Sequence, residues 1–121
     1  MAMVDELLIR NLLEVFGERD GERRRAVIAE LYDPDVLFQD PEGAVHGRDA
    51  VDEKVAALLA GAPEDFIFRA TAPVRVSGDL GVLTWAFGPG DGGTVVSGTD
   101  IALARDSRIV RLHTLLDGTE G

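Results

Sequence analysis

Two aspartates carry the strongest chemical signal in the chain. Asp100 stands in the middle of an apolar stretch, between Thr99 and Ile101 and flanked by Val95, Val96, Ala102 and Leu103. A carboxylate is disfavoured inside a strand, and costly in an apolar wall unless it finds partners or keeps its proton. Strand alternation puts Val96, Gly98 and Ala102 on its side, and such small neighbours leave volume for a ligand. Asp100 could equally face outward from an edge strand, or pair across the sheet with an arginine such as Arg111. Asp40 directly follows the run Val36, Leu37, Phe38, Gln39 and precedes Pro41. There a carboxylate either sits at the rim of what the strand encloses or serves as a plain Asp-Pro turn residue. Two carboxylates in unlike surroundings are suited to acid/base chemistry, one ionised as the base and the other protonated as the donor.

Other chemistries find less support. The chain has no cysteine, which removes thiol nucleophiles, disulfides and thiolate metal sites. Ser77, Ser97 and Ser107 lack a histidine at a persuasive position, and His46 and His113 belong to no metal-ligand spacing. The glycine-rich stretch 88–93 lies between two strand patterns. A phosphate cradle needs a helix N-terminus after it, so this stretch reads as a hairpin loop. No metal or organic cofactor is therefore expected. A net charge of −10 over 121 residues repels phosphate backbones and anionic lipid, which argues against nucleic-acid and membrane partners. The densest basic run, Arg23-Arg24-Arg25, is offset by Glu18, Asp20, Glu22 and Glu30 and reads as a solvated helix face. No apolar run approaches the roughly 20 residues of a membrane span. The N-terminus is acidic and amphipathic without a signal-peptide pattern, which makes the cytoplasm the expected compartment.

The elements that must position the two aspartates follow from periodicity. Val4, Leu8, Leu12 and Val15 with Phe16 recur at helical spacing up to Gly17. A second helix opens at Asp20-Gly21, carries Val27, Ile28, Leu31 and Tyr32 on its apolar face, and ends before Pro34. A short strand over 36–39 leads to a turn over 40–43. His46-Gly47 then opens a third helix, with Val51, Val55, Leu58 and Leu59 inward and Gly61 and Pro63 as stop signals. Beyond Pro63 the pattern changes to strands at 66–71, 74–76, 82–87, 94–104 and 109–116, joined by turns. Helices first and a meander after predict one α+β domain over 1–121 with an antiparallel sheet. On the last strand Leu112, Thr114 and Leu116 share one face, and Arg111, His113 and Leu115 the other.

The stretch AVIAELYDPDVLFQDPEG at 26–43, followed by HGRDAV at 46–51, resembles the ketosteroid isomerase and SnoaL-like polyketide cyclase branch of the nuclear transport factor 2-like superfamily. GTDIAL at 98–103 with Arg108-Ile109 is similar to the C-terminal hairpin of the same proteins, and the resemblance spans Val4 to Asp117. It implies three N-terminal helices packed on a curved antiparallel sheet that forms a cone around one internal pocket. It further implies that Asp40 acts as general base and that Asp100, kept neutral by an apolar site, stabilises an enolate. Tyr32 matches a tyrosine that supports the site in some members. Phe38, Trp85, Phe87, Val96, Gly98, Leu112, Thr114 and Leu116 would face a hydrophobic small molecule. The isomerases' first-helix tyrosine has no counterpart, because that stretch reads Asn11-Leu12-Leu13. The implied activity is isomerisation or ring closure of a hydrophobic ketone or polyketide-like substrate, with a non-catalytic binding or dimerisation module as the alternative. Members of the fold often pair through the outer sheet face, which Ile109, His113 and Leu115 would supply in a homodimer.

Overall fold

The computed structural model describes residues 3–118. Helix α1 (Val4–Arg10) runs without a break into a π-helical turn, Asn11–Phe16, whose end is marked by the Gly17 N–H bonding back to Leu12 O at 3.0 Å. The wider turn brings Asn11, Leu12 and Val15 all inward. The side chain of Asp20 caps α2 (Gly21–Leu31) by accepting from the N–H groups of Glu22 and Arg23 at 2.9 and 3.1 Å. From α2 the chain passes directly into β1 (Tyr32–Asp40), which starts earlier than the apolar run suggested.

One arginine of the basic run departs from the solvated-face expectation. Arg23 and Arg25 are exposed, but Arg24 is buried, donating to Asp52 at 2.6 Å and to the Glu18 carbonyl at 2.8 Å. It ties α2 to α3 (Arg48–Ala60). Val51, Val55 and Leu59 of α3 pack into the core, whereas Leu58 stays 43% exposed. Leu58 lies on the same helix face but borders a cavity, which leaves it partly uncovered.

Between β1 and α3 a short strand, β2 (Gly43–His46), folds back antiparallel on β1 with Asp40 opposite Gly43. Only four residues long, with glycine and alanine at its start, it carries no strand signature. The meander follows as β3 (Phe66–Ala70), β4 (Arg75–Ser77), β5 (Leu80–Pro89), β6 (Val96–Arg105) and β7 (Arg108–Leu116). The sheet has 7 strands in the order β2-β1-β7-β6-β5-β3, with β4 also on β5. It curves without closing into a barrel, and it is mixed rather than wholly antiparallel because β1 runs parallel to β7.

The three helices cover the concave face and bury Leu8, Leu12, Ile28 and Val55 against Leu83, Ala102 and Leu112. Helix α1 approaches β5 so closely that a Cβ on Gly81 would lie 2.7 Å from the Leu8 side chain. Ile109 is buried in this core and not on the outer face. The β6–β7 register slips between Leu103–Arg111 and Ala104–Ile109, so Val110 is an extra residue that reverses the alternation below it.

Candidate functional site

Asp100 sits in the middle of β6, opposite Leu83 of β5 and Thr114 of β7, with its carboxyl on the concave face. It is 3% exposed. The Trp85 Nε1–H donates to its Oδ1 at 3.0 Å and the Thr114 hydroxyl to the same oxygen at 2.7 Å. Both donors are neutral. No lysine or arginine among the described residues pairs with this carboxyl, and Arg111 lies opposite Leu103 on the other face. Burial pushes the Asp100 carboxyl up from its ordinary 3.8 to about 6, against the opposing pull of the Thr114 and Trp85 hydrogen bonds. With Oδ1 doubly engaged, Oδ2 is the oxygen left for a ligand.

Trp85 reaches Asp100 because the strand beneath it carries glycine. A Cβ on Gly98, which pairs with Trp85, would fall 2.6 Å from the indole Cζ2 and 2.4 Å from the Leu115 carbonyl. Gly98 therefore lies under the ring instead of facing a ligand.

Asp40 closes β1 and turns the chain into β2. Its Oδ1 accepts the Glu42 N–H at 2.9 Å, as an aspartate in a tight turn does. Its carboxylate is also held by Lys54 of α3, with Nζ 2.9 Å from Oδ2 and 3.2 Å from Oδ1, and the same ammonium donates to Glu42 Oε1 at 2.9 Å. Burial lowers the Lys54 pKa, but the hydrogen bonds to Glu42 and Asp40 outweigh it and raise the net value, so Lys54 is an ammonium at neutral pH. In the sequence Lys54 looks like one more charge on the polar side of α3, and no local signal links it to Asp40.

Asp40 and Asp100 line one cavity of about 180 Å³, together with Phe38, Trp85, Thr114 and Leu116. The rest of its wall comes from Leu12, Phe16, Pro41, Glu42, Leu58 and Phe68. Phe16 enters because the π-turn swings it toward Phe38 and Phe68, with ring centroids 5.8 and 6.2 Å away. The remaining expected contacts lie elsewhere. Phe87 is stacked behind Phe68 at 4.1 Å, Leu112 is fully buried in the core, and Val96 is 37% exposed near the sheet's end. Tyr32 is buried behind the wall and donates its hydroxyl to Asn11 Oδ1. Burial, with repulsion from Asp100 as the second cause, pushes its phenol well above the ordinary value. Residues on one sheet face thus share a side but not a depth, and depth decides which of them a ligand can touch.

Among the described residues no three His, Cys, Asp or Glu side chains gather as a metal ion would require, and no helix is long and apolar enough to cross a membrane. The arrangement offers one carboxyl in a dry wall, one paired with an ammonium at the rim, and apolar surface between them.

The comparisons agree with this architecture. Among solved structures, the chain superposes on a candidate isomerase of the SnoaL-like family from Agrobacterium tumefaciens with a TM-score of 0.84 and 23% identity, over 93% of this chain and 95% of that one. A candidate SnoaL-like polyketide cyclase from Jannaschia sp. gives 0.76 and 22%, over 93% and 83%. A candidate ketosteroid isomerase from Kribbella flavida gives 0.70 and 15%, over 97% and 79%. At these identities the likeness speaks for the fold. No curated protein matches the sequence. The family model of the SnoaL-like domain matches residues 9–112, and on that match the chain belongs to the SnoaL-like family of the nuclear transport factor 2-like superfamily.

Proposed function

We propose that the cavity is the active site of an acid/base enzyme acting on a hydrophobic ketone or polyketide-like molecule. The observation that carries this reading is Asp100, a buried carboxyl in a chamber wall with two neutral donors on one oxygen and no cation among the described residues. A core aspartate kept only for structure would be expected to hold a cationic or fully satisfied partnership. In the proposed reaction Asp40 accepts the proton from the carbon α to the carbonyl. The electron pair moves into the enolate, whose oxygen takes a hydrogen bond from the Oδ2–H of neutral Asp100. Return of the proton to a different carbon isomerises a double bond, whereas attack of the carbanion on a second carbonyl closes a ring and leaves an alkoxide that takes the proton back from Asp40. Isomerisation needs one substrate carbonyl as its electron sink, and ring closure needs two.

The ion pair between Lys54 and Asp40 favours a second reading, a non-catalytic binding module in which Asp40 only holds the β1–β2 turn against α3. The two separate in one assay, ultraviolet-monitored isomerisation of a β,γ-unsaturated ketone with Asp40→Asn and Asp100→Leu as controls. We expect Asp40→Asn to lower turnover at least ~10²-fold, the range of a lost general base. Binding of a phenolic enolate mimic without turnover would favour the binding module. Neither turnover nor binding would remove the ketone reading altogether. As a further part of the proposal, two copies pair through the convex sheet face, where Leu80 and Leu115 are exposed.

A further inference from the structure

The inner chamber does not end at Asp40. A second, more open cavity of about 330 Å³ adjoins it and shares Phe16, Phe38, Asp40, Glu42 and Leu58 with it, adding Lys54 and Ala57 of α3. Asp40 therefore borders both spaces. The inner one, at about 180 Å³, is close to the roughly 150 Å³ of a dry cavity that accommodates one benzene ring. Pockets for larger organic ligands run from about 300 Å³ upward. A ligand of more than one ring exceeds the inner space, and the adjoining cavity beyond Asp40 has room for the rest of it.

The chemistry of the outer space limits what that extension can be. Lys54 is its cation, and an ammonium has three protons to give. Its contacts to Asp40 Oδ2 and Oδ1, at 2.9 and 3.2 Å, and to Glu42 Oε1, at 2.9 Å, engage it with two carboxylates. Two carboxylates around one ammonium leave the vestibule negative, so it repels an anionic tail. Apolar surface remains on offer. Leu58 borders both spaces and is 43% exposed, although it lies on the core-facing side of its helix.

The geometry points to an elongated, uncharged ligand, with a single ring in the inner chamber against Asp100 and an apolar tail laid across Leu58 and Phe16 into the vestibule. Leu58 is then a specificity-determining residue that reads tail length. The inference takes from the acid/base reading only the orientation of the reacting end toward Asp100, and ligand binding tests it without turnover.

Trp85 is the sole tryptophan and lines the inner chamber, so its fluorescence reports ring entry. The probes are phenol, its 4-ethyl, 4-butyl and 4-hexyl derivatives, and a 4-hydroxyphenylalkanoate of matched length. We expect affinity to rise about two- to fourfold per methylene, the upper figure being that of a fully buried CH₂. The carboxylate-tailed probe should bind at least ~10-fold more weakly than its neutral counterpart. Leu58→Glu should reduce the gain per methylene to below about 1.5-fold. Affinity that falls beyond ethyl would overturn the inference. So would a carboxylate tail that binds as well as the neutral one, an unchanged gain in Leu58→Glu, or no quenching by any probe. If the chain-length dependence holds while no ketone is turned over, the acid/base reading falls and the two-chamber ligand stands.

Discussion

Asp100 is where burial and chemistry meet, and its ionisation makes two predictions about pH. Its folded pKa, about 6, lies above the ordinary 3.8, so the native state binds this proton more tightly than the unfolded chain does. The corresponding stability is fully present below 3.8 and is lost as pH rises through about 6, amounting to ~3 kcal/mol. Asp100→Asn keeps an oxygen for the Trp85 N–H but cannot ionise. Its unfolding free energy, read from the urea midpoint, should therefore gain on the wild type by ~2 kcal/mol between pH 4.5 and pH 8. A constant difference across that range would show that the carboxyl does not titrate in this window. If neutral Asp100 is the enolate donor, turnover declines above about pH 6, and the same variant, with a permanent N–H donor, lacks that decline. Asp100 was legible from sequence because a carboxylate between Thr99 and Ile101 conflicts with its surroundings. Its donors Trp85 and Thr114 were legible only as residues sharing a face, since pairing across strands is set by register.

At the scale of elements, the site depends on how closely β5, β6 and β7 are stacked, and Gly98 is the point of closest approach. Alanine there would set a methyl 2.6 Å from the Trp85 ring and 2.4 Å from the Leu115 carbonyl. The ring could rotate away, but the carbonyl belongs to the β7 backbone and cannot yield without moving the strand. Gly98→Ala should cost ~2–3 kcal/mol, as overpacking does, and should break the Trp85–Asp100 hydrogen bond. A red-shifted tryptophan emission maximum together with a lowered urea midpoint is the expected result; wild-type emission and stability would mean that β7 gives way freely. In the sequence the glycine is a small residue beside Asp100 that suggests ligand space, whereas in the fold the Trp85 ring fills that space. The same limit applies elsewhere. Lys54 is 14 residues from Asp40 and joins it only through the packing of α3 on β1. The π-turn that aims Phe16 inward, and the extra residue Val110 that turns Ile109 into the core, each shift a period by one residue, and a regular period conceals both.

For the molecule as a whole, the helices and the cavity occupy the concave face, which leaves the convex face as the uncovered side of the sheet. The outer positions of β7 and β5 keep Leu115 57% and Leu80 39% exposed, with Ile101 half-buried between them. The helices-then-meander order already implied a sheet with one covered face; the parallel β1–β7 pair, which makes the sheet mixed, was hidden because it joins strands from opposite ends of the chain. Each copy carries a charge of −10, so two copies meet against Coulomb repulsion that salt screens. Apolar burial at the interface is nearly indifferent to moderate salt, and the two terms can therefore be separated by ionic strength. We expect sedimentation velocity at micromolar protein to show a dimer whose dissociation constant tightens several-fold between 50 and 500 mM NaCl. Leu115→Glu places a carboxylate on this face and should yield monomer at low salt while leaving the cavity intact, as judged by unchanged 4-butylphenol quenching of Trp85. A wild type that sediments as monomer at 100 µM, or a dimer indifferent to Leu115→Glu, would reassign the convex face to solvent.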